Sequence, residues 1–292
     1  GVIASLIPMT NPALTPPVTG VSSANARNAV IFSPHPRTAA TTFEMSRIMR
    51  AACHAVGAPE DLFQCIERPS IPMTQYLMES CDLTLATGGK PMVQAAYSSG
   101  KPAYGVGAGN STIVVDETAD LNEAAKNIMI SKTSDFGSGC SADGNIVIQK
   151  SIYSNMVSEL QANNGYLCNS AEKELLSRAM WDNKENRTFS TIACKPQQLA
   201  LVAGFEIPEH IKFLIVENNG QIGKEHKFSK EKLTTLMALY YFEEFPDALN
   251  IIQKIYEVGG KGHSCGIYST SDKNIDALAR VAPVSRMMVC QP

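Results

Sequence analysis

The chain has 292 residues, 44% apolar and 18% charged, with a formal net charge of −3 and a pI near 6.0. That length supports two domains, or one large one, with a substantial core. The charge balance gives no electrostatic reason to expect nucleic acid or an anionic membrane surface, and no apolar run approaches the roughly 20 residues of a membrane span.

In chain order, "GVIASLI" (1–7) and "NAVIF" (28–32) read as buried strands, with a helix over 16–26 between them. Residues 1–17 lack the basic-then-apolar order of a signal peptide. "TTFEMSRIMRAACHAVG" (41–57) spaces its apolar residues helically and stops on glycine. Then follow a strand at 62–66, a helix over 73–80, "LTLAT" (83–87), a helix over 91–99 and "PAYGV" (102–106). "STIVV" (111–115) adds a strand, and 119–132 a helix capped near Asp116 or Thr118. Further on come "GNIVIQ" (144–149), a helix over 151–162, "IKFLIVE" (211–217), a helix over 245–260, and strands at 265–269 and 286–290. This alternation predicts right-handed βαβ units and a parallel sheet covered on both faces. The loops at 133–143 and 218–231 are the boundary candidates. The chain opens directly in a strand and stops two residues after one, which reads as a segment without its flanks.

Eight cysteines are dispersed and never reach C-x-x-C spacing, and the five histidines are scattered, so no metal pattern emerges. Dispersed thiols suit a reducing cytosol, hence a cytoplasmic protein. One cysteine stands apart. "DFGSGCSADGN" (135–145) sets Cys140 among glycines and turn-forming residues, as a loop presenting a thiol would. A buried, inert thiol is the alternative.

Four further stretches could bind or catalyse. "ATGGKPMVQAA" (86–96) ends a strand on Thr87-Gly88-Gly89 and opens a helix, where backbone amides can hold a phosphate; an ordinary tight βα turn would look the same. "FSPHPR" (32–37) closes a strand with Ser33, His35 and Arg37, as either a ligand crevice or an exposed polar turn. Asn11 in "MTNPA" could donate to an oxyanion or cap the next helix. "GVGAGN" (105–110), with Gly107 at its centre, lacks the helix that a dinucleotide fingerprint requires. The spacing around Cys140 misses the nucleophile elbow, and neither Gly-Lys pair completes a P-loop.

In order, "IPMTNP", "RNAVIFSPHPRT", "GAPEDLFQCIERPS", "LATGGKPMVQAAYSSGKPAYGVGAGN", "VDETADL", "EKL" (231–233) and "GGKGHS" (259–264) resemble the aldehyde dehydrogenase superfamily, specifically its CoA-acylating branch. The resemblance implies an α/β fold with a parallel-sheet NAD(P)-binding domain (1–136) followed by an α/β catalytic domain (137–292). It implies further residues before Gly1 and a glycine-rich segment after Pro292. It places Cys140 as nucleophile, Asn11 at the oxyanion and His263 as a histidine of the acylating branch, in either a chemical or a structural role. Thr87, Gly88 and Gly89 fall on the pyrophosphate turn, Ser33, His35 and Arg37 on the adenosine side, and Glu231 beside the nicotinamide ribose, with Gly107 also among the cofactor-binding residues. NAD or NADP is the implied cofactor, with coenzyme A and a small aldehyde as reaction partners and a homo-oligomer as the assembly.

Departures refine the expectation. Where hydrolytic relatives carry a water-activating glutamate, this chain has Val106. A thioester on Cys140 would then wait for another thiol. Ser141-Ala142-Asp143 replaces the usual Ala-Ser-Glu after the cysteine, and Thr234-Thr235 replaces Ser-Pro, which points away from acetaldehyde. Acetaldehyde, a longer aldehyde, succinic semialdehyde and a sulfonated aldehyde all stay open. A hydrolytic dehydrogenase and a non-catalytic assembly module are the rival readings.

Overall fold

The computed structural model describes all residues from 1 to 292. The chain divides into two compact units, Gly1–Gly107 and Ala108–Pro292. The first contains β1 (Val2–Ile7), α1 (Thr15–Asn25), β2 (Ala29–Pro34), α2 (Ala39–His54), β3 (Phe63–Cys65), α3 (Ile71–Ser80), β4 (Leu83–Thr87), α4 (Lys90–Tyr97) and β5 (Ala103–Val106). The five strands pair in parallel in the order β3-β2-β1-β4-β5. Successive β1 side chains point to opposite faces. Ile3 and Ile7 pack with Val30, Phe32, Met49 and Phe63, while Leu6 packs with Met78, Ala86 and Ala96. Burial on both sides explains why these strands are continuous apolar runs rather than alternating ones. Gly20 lets α1 approach this core, because a Cβ there would lie 2.5 Å from Met49 Cε.

The second unit contains β6 (Thr112–Val115), α5 (Leu121–Thr133), β7 (Asn145–Gln149), α6 (Tyr153–Ala162), β8 (Gly165–Leu167), α7 (Ser170–Met180), α8 (Pro196–Ala203), β9 (Phe213–Glu217), β10 (Leu236–Phe242), α9 (Phe245–Val258), β11 (Gly262–Tyr268), α10 (Asp272–Val281) and β12 (Val284–Val289). Its seven strands, all parallel, run β12-β11-β6-β7-β10-β9-β8. One core is built around Leu214, Val216, Ala238 and Tyr240, and the other around Ile113, Ile146, Ile148 and Leu239. The expected α/β class with parallel sheets is therefore observed.

Two expectations need correction. The division at 136/137 falls inside the second unit, because β6 pairs with β7 and β11 and carries α5 with it. The N-cap of α5 is Asp120, whose side chain accepts from Glu123 N. Asp116 is fully buried instead, accepting from Thr118, Ser269 and Asn274 and so joining the ends of β6 and β11. The local sequence patterns do not reveal β8, α7, α8, β10 or α10.

Candidate active site

In the first unit the parallel strands bring the segments after β1, β2, β4 and β5 to one sheet edge. Asn11, His35, Arg37, Gly88, Gly89 and Gly107 lie on those segments, and Ser33 and Thr87 at the strand ends. The strand order reverses between β1 and β4, the topology that opens a crevice at the carboxyl ends of a doubly wound sheet. Gly89 is the N-cap of α4 with no side-chain hydrogen bond, leaving amides of the first helical turn without a side-chain partner. A Cβ on Gly88 would make ordinary contact with Met92 alone, 3.4 Å from Cγ. An anion such as a pyrophosphate fits this turn.

The other residues of this edge differ in what they offer. His35 Nδ1 accepts from Arg37 N at 3.2 Å, and burial with the nearby guanidinium holds the imidazole below its ordinary pKa. Ser33 is buried and its hydroxyl meets Thr74 Oγ1 at 2.8 Å, so its side chain ties β2 to α3. At Asn11 the capping alternative fails. Leu14 holds the N-cap position without a side-chain bond, and Asn11 contributes only its carbonyl, to Thr15 N. A Cβ on Gly107 would meet nothing within 4 Å, so packing does not require glycine there.

In the second unit the Cys140 loop joins α5 to β7. Asp135, Phe136 and Gly137 all have positive φ (48°, 52° and 66°), a tight left-handed turn unusual for Phe. Ser138 Oγ donates to Asp135 Oδ2 at 3.0 Å and holds that turn. Gly137 is obligatory, since a Cβ would lie 2.5 Å from Thr234 O. At the far end, the Gly144 and Asn145 amides both donate to Ser111 O. The loop emerges with Cys140 half-buried and its thiol free.

Tertiary structure supplies what the local sequence lacked. His263, at the start of β11, places Nε2 2.9 Å from Cys140 Sγ. Its Nδ1 lies 2.6 Å from Ser264 Oγ, which also accepts from Arg286 Nη2 at 3.1 Å. Glu231 Oε1 accepts from Gly109 N at 2.7 Å. Gly109 packs so closely on the Cys140 loop that a Cβ would lie 1.8 Å from Cys140 O. Asn110 pins this crossing: Nδ2 donates to Ser229 O and Gly259 O, and Oδ1 accepts from Asn145 Nδ2 at 2.8 Å. Lys232 Nζ completes the chain by donating to Asn145 Oδ1 at 2.7 Å. Gly109 and Asn110 lie within "GVGAGN", Glu231 and Lys232 within "EKL", and His263 and Ser264 within "GGKGHS", but only the fold shows that they meet.

Burial dominates the electrostatics. It pushes the Cys140 thiol up, reinforced by the Glu231 carboxylate, while the Cys140 and Ser141 amides and Arg286 oppose it. His263 is held below its ordinary value by burial and then by Arg286. Glu231 is raised by burial against the pull of the Gly109 and Asn110 amides. Behind the loop, burial lowers Lys132 to about 8 and raises Asp143 to about 7. The arrangement suits covalent catalysis by a thiol with an imidazole at its sulfur.

The sequence profile of the aldehyde dehydrogenase family matches residues 1–170. The chain belongs to that family. It is 39% identical over 295 residues to a sulfoacetaldehyde dehydrogenase of an Acholeplasma species, covering all of this chain and 60% of that relative. Among solved structures it superposes with a TM-score of 0.96 on an acetylating aldehyde dehydrogenase from Geobacillus thermoglucosidasius, at 39% identity, covering all of this chain and 64% of that one. A propionaldehyde dehydrogenase from Rhodopseudomonas palustris, solved with bound CoA and an acylated cysteine, gives a TM-score of 0.89 at 28% identity, covering all of this chain and 66% of that one. The chain thus spans about 60% of the length of the sulfoacetaldehyde dehydrogenase it matches.

Proposed function

We propose that the protein is an NAD(P)-dependent, CoA-acylating aldehyde dehydrogenase of the cytoplasm, working as a homo-oligomer. The observation that carries this reading is the Cys140 thiol set against His263 Nε2. Cys140 Sγ attacks the aldehyde carbonyl carbon, and loss of hydride leaves a thioester on Sγ. Bound NAD(P) supplies the hydride acceptor. Thr87, Gly88 and Gly89 would hold its pyrophosphate and His35 and Arg37 its adenosine side, with Glu231 toward the nicotinamide ribose. Coenzyme A then removes the acyl group by thiol exchange.

Two features favour thiol exchange over hydrolysis. The family resemblance puts Val106 where hydrolytic members carry a glutamate. Glu231, whose charge raises the Cys140 thiol, has Oε1 engaged by the Gly109 amide at 2.7 Å. General-base assistance is typically worth about 10²–10⁴-fold, so deacylation by water is slow here. The named relative makes a sulfonated short aldehyde the first substrate to try.

The test uses the full-length protein with aldehyde and NAD(P) but no coenzyme A. One burst of reduced cofactor, about stoichiometric with active sites, is expected, followed by turnover only when coenzyme A is added. Intact mass should show an acyl adduct that Cys140→Ala abolishes. Steady formation of free acid without coenzyme A overturns the acylating reading, and a titratable thiol that never yields reduced cofactor overturns the enzymatic one.

A further inference from the structure

The hydrogen-bond inventory around Ser264 determines which nitrogen of His263 carries the proton. Ser264 is fully buried, so its hydroxyl must find partners within the protein. The register of β11 on β12 sets Ser264 opposite Arg286, whose Nη2 lies 3.1 Å from Ser264 Oγ. A guanidinium only donates. Ser264 Oγ therefore accepts from Arg286 and still has one hydrogen to place. His263 Nδ1, at 2.6 Å, is the acceptor in reach. Were Nδ1 protonated, the Ser264 hydrogen would be buried without an acceptor, a costly arrangement that folded proteins avoid. The neutral ring's proton then belongs on Nε2, the nitrogen 2.9 Å from Cys140 Sγ.

We propose that Ser264, oriented by Arg286, fixes His263 as its Nε2–H tautomer, so that the imidazole donates a hydrogen bond to Cys140 Sγ and supports that sulfur as leaving group rather than deprotonating the incoming thiol. The catalytic half of this proposal rests on the acyl-transfer reading above. Coenzyme A arrives as its thiolate, having left its proton in solvent. Its sulfur bonds the acyl carbon, and the carbon–Sγ bond breaks with the electron pair remaining on Sγ. Cys140 leaves as a thiolate that accepts the Nε2–H bond, and His263 neither gains nor loses a proton. Ser264 and Arg286 are positioning residues; His263 touches the reacting atom. Two charged groups act on this pair, Arg286 from β12 and Glu231 from the segment before β10. Arg286 lowers both His263 and the thiol, whereas Glu231 raises the thiol.

The first measurement needs no substrate. In the full-length protein with ¹⁵N-labelled histidine, assigned by loss of one ring's signals in His263→Ala, long-range ¹H–¹⁵N spectra near pH 7.5 should show His263 with bare Nδ1 and protonated Nε2. Ser264→Ala should lose that single-tautomer signature, and Ser264→Thr, which keeps the hydroxyl, should retain it. In Ser264→Ala the pH dependence of Cys140 alkylation should move up by about one unit, roughly tenfold slower near neutrality, with Ser264→Thr restoring it. A protonated Nδ1 in the unaltered protein, or an alkylation profile unmoved in Ser264→Ala, overturns the proposal. The second measurement follows acyl transfer from preformed acyl-enzyme to coenzyme A. Its rate should climb through neutrality toward the thiol's own pKa of about 8.5, whereas a plateau above about 6.5, the mark of imidazole acting as base, overturns the leaving-group role. If no acyl-enzyme forms with any aldehyde, the dehydrogenase reading fails by itself, while the spectra and alkylation profile still decide the tautomer.

Discussion

At the scale of single residues, the Cys140 loop rests on charges that are removed from water. Asp143 and Lys132 are each 1% exposed, and Lys232, equally buried, donates to Asn145. Burial opposes the ionised form of every one of them. Asp143 gives a pH test. The unfolded chain ionises it near its ordinary value of 3.8, whereas the folded protein keeps the proton to about 7. Its contribution to stability is therefore fully present below 3.8 and lost as pH rises to about 7. Asp143→Asn, neutral at every pH, escapes that loss. Its urea midpoint should improve relative to the unaltered protein between pH 4 and pH 7, and a pH-independent difference would show that Asp143 is ionised in the fold.

At the scale of elements, α4 illustrates a turn whose glycine packing does not demand. Gly88 has room for a side chain, with Met92 Cγ 3.4 Å from a built Cβ. Gly88→Val should therefore change the melting temperature little while weakening NAD(P) binding by at least about tenfold, or 1.4 kcal/mol. Cofactor affinity that is unchanged by titration would remove the pyrophosphate from this turn. β10 shows the limit of pattern reading at this scale. "LMALYYF" is a central strand, buried except at Tyr241, so it lacks the polar–apolar alternation that marks a half-buried strand. A short apolar run of that kind looks the same as a piece of buried helix. By contrast α2, with one apolar face and a glycine stop, is readable to within a few residues of its observed span.

At the scale of the whole molecule, each unit has its own parallel sheet with helices on both faces and its own cores. Compact units with separate cores are the cooperative blocks of local unfolding. Phe32 is fully buried and stacks on Phe63 with ring centroids 6.1 Å apart. Phe32→Ala should cost about 3–5 kcal/mol, concentrated in the first unit. Hydrogen exchange should quicken across 1–107 first and spare β7 and β10. Equal acceleration in both units would mean that they unfold as one.

The sequence by itself determined the α/β class, most of the strands and the aldehyde dehydrogenase family, and it set Cys140 apart from the other cysteines. These are legible because they reside in local patterns: apolar runs, glycine turns and motifs of a few consecutive residues. Only the tertiary structure decided the rest. His263 lies 123 positions from Cys140 in the chain, and Glu231 meets Gly109 across 122. No periodicity or spacing carries such a meeting. The division after Gly107 was hidden for the same reason, since β6 belongs to the second unit only through its pairing with β7 and β11. Hydrogen bonds between distant strands, and the burial that makes those bonds obligatory, are properties of the folded sheet and not of any stretch of the chain.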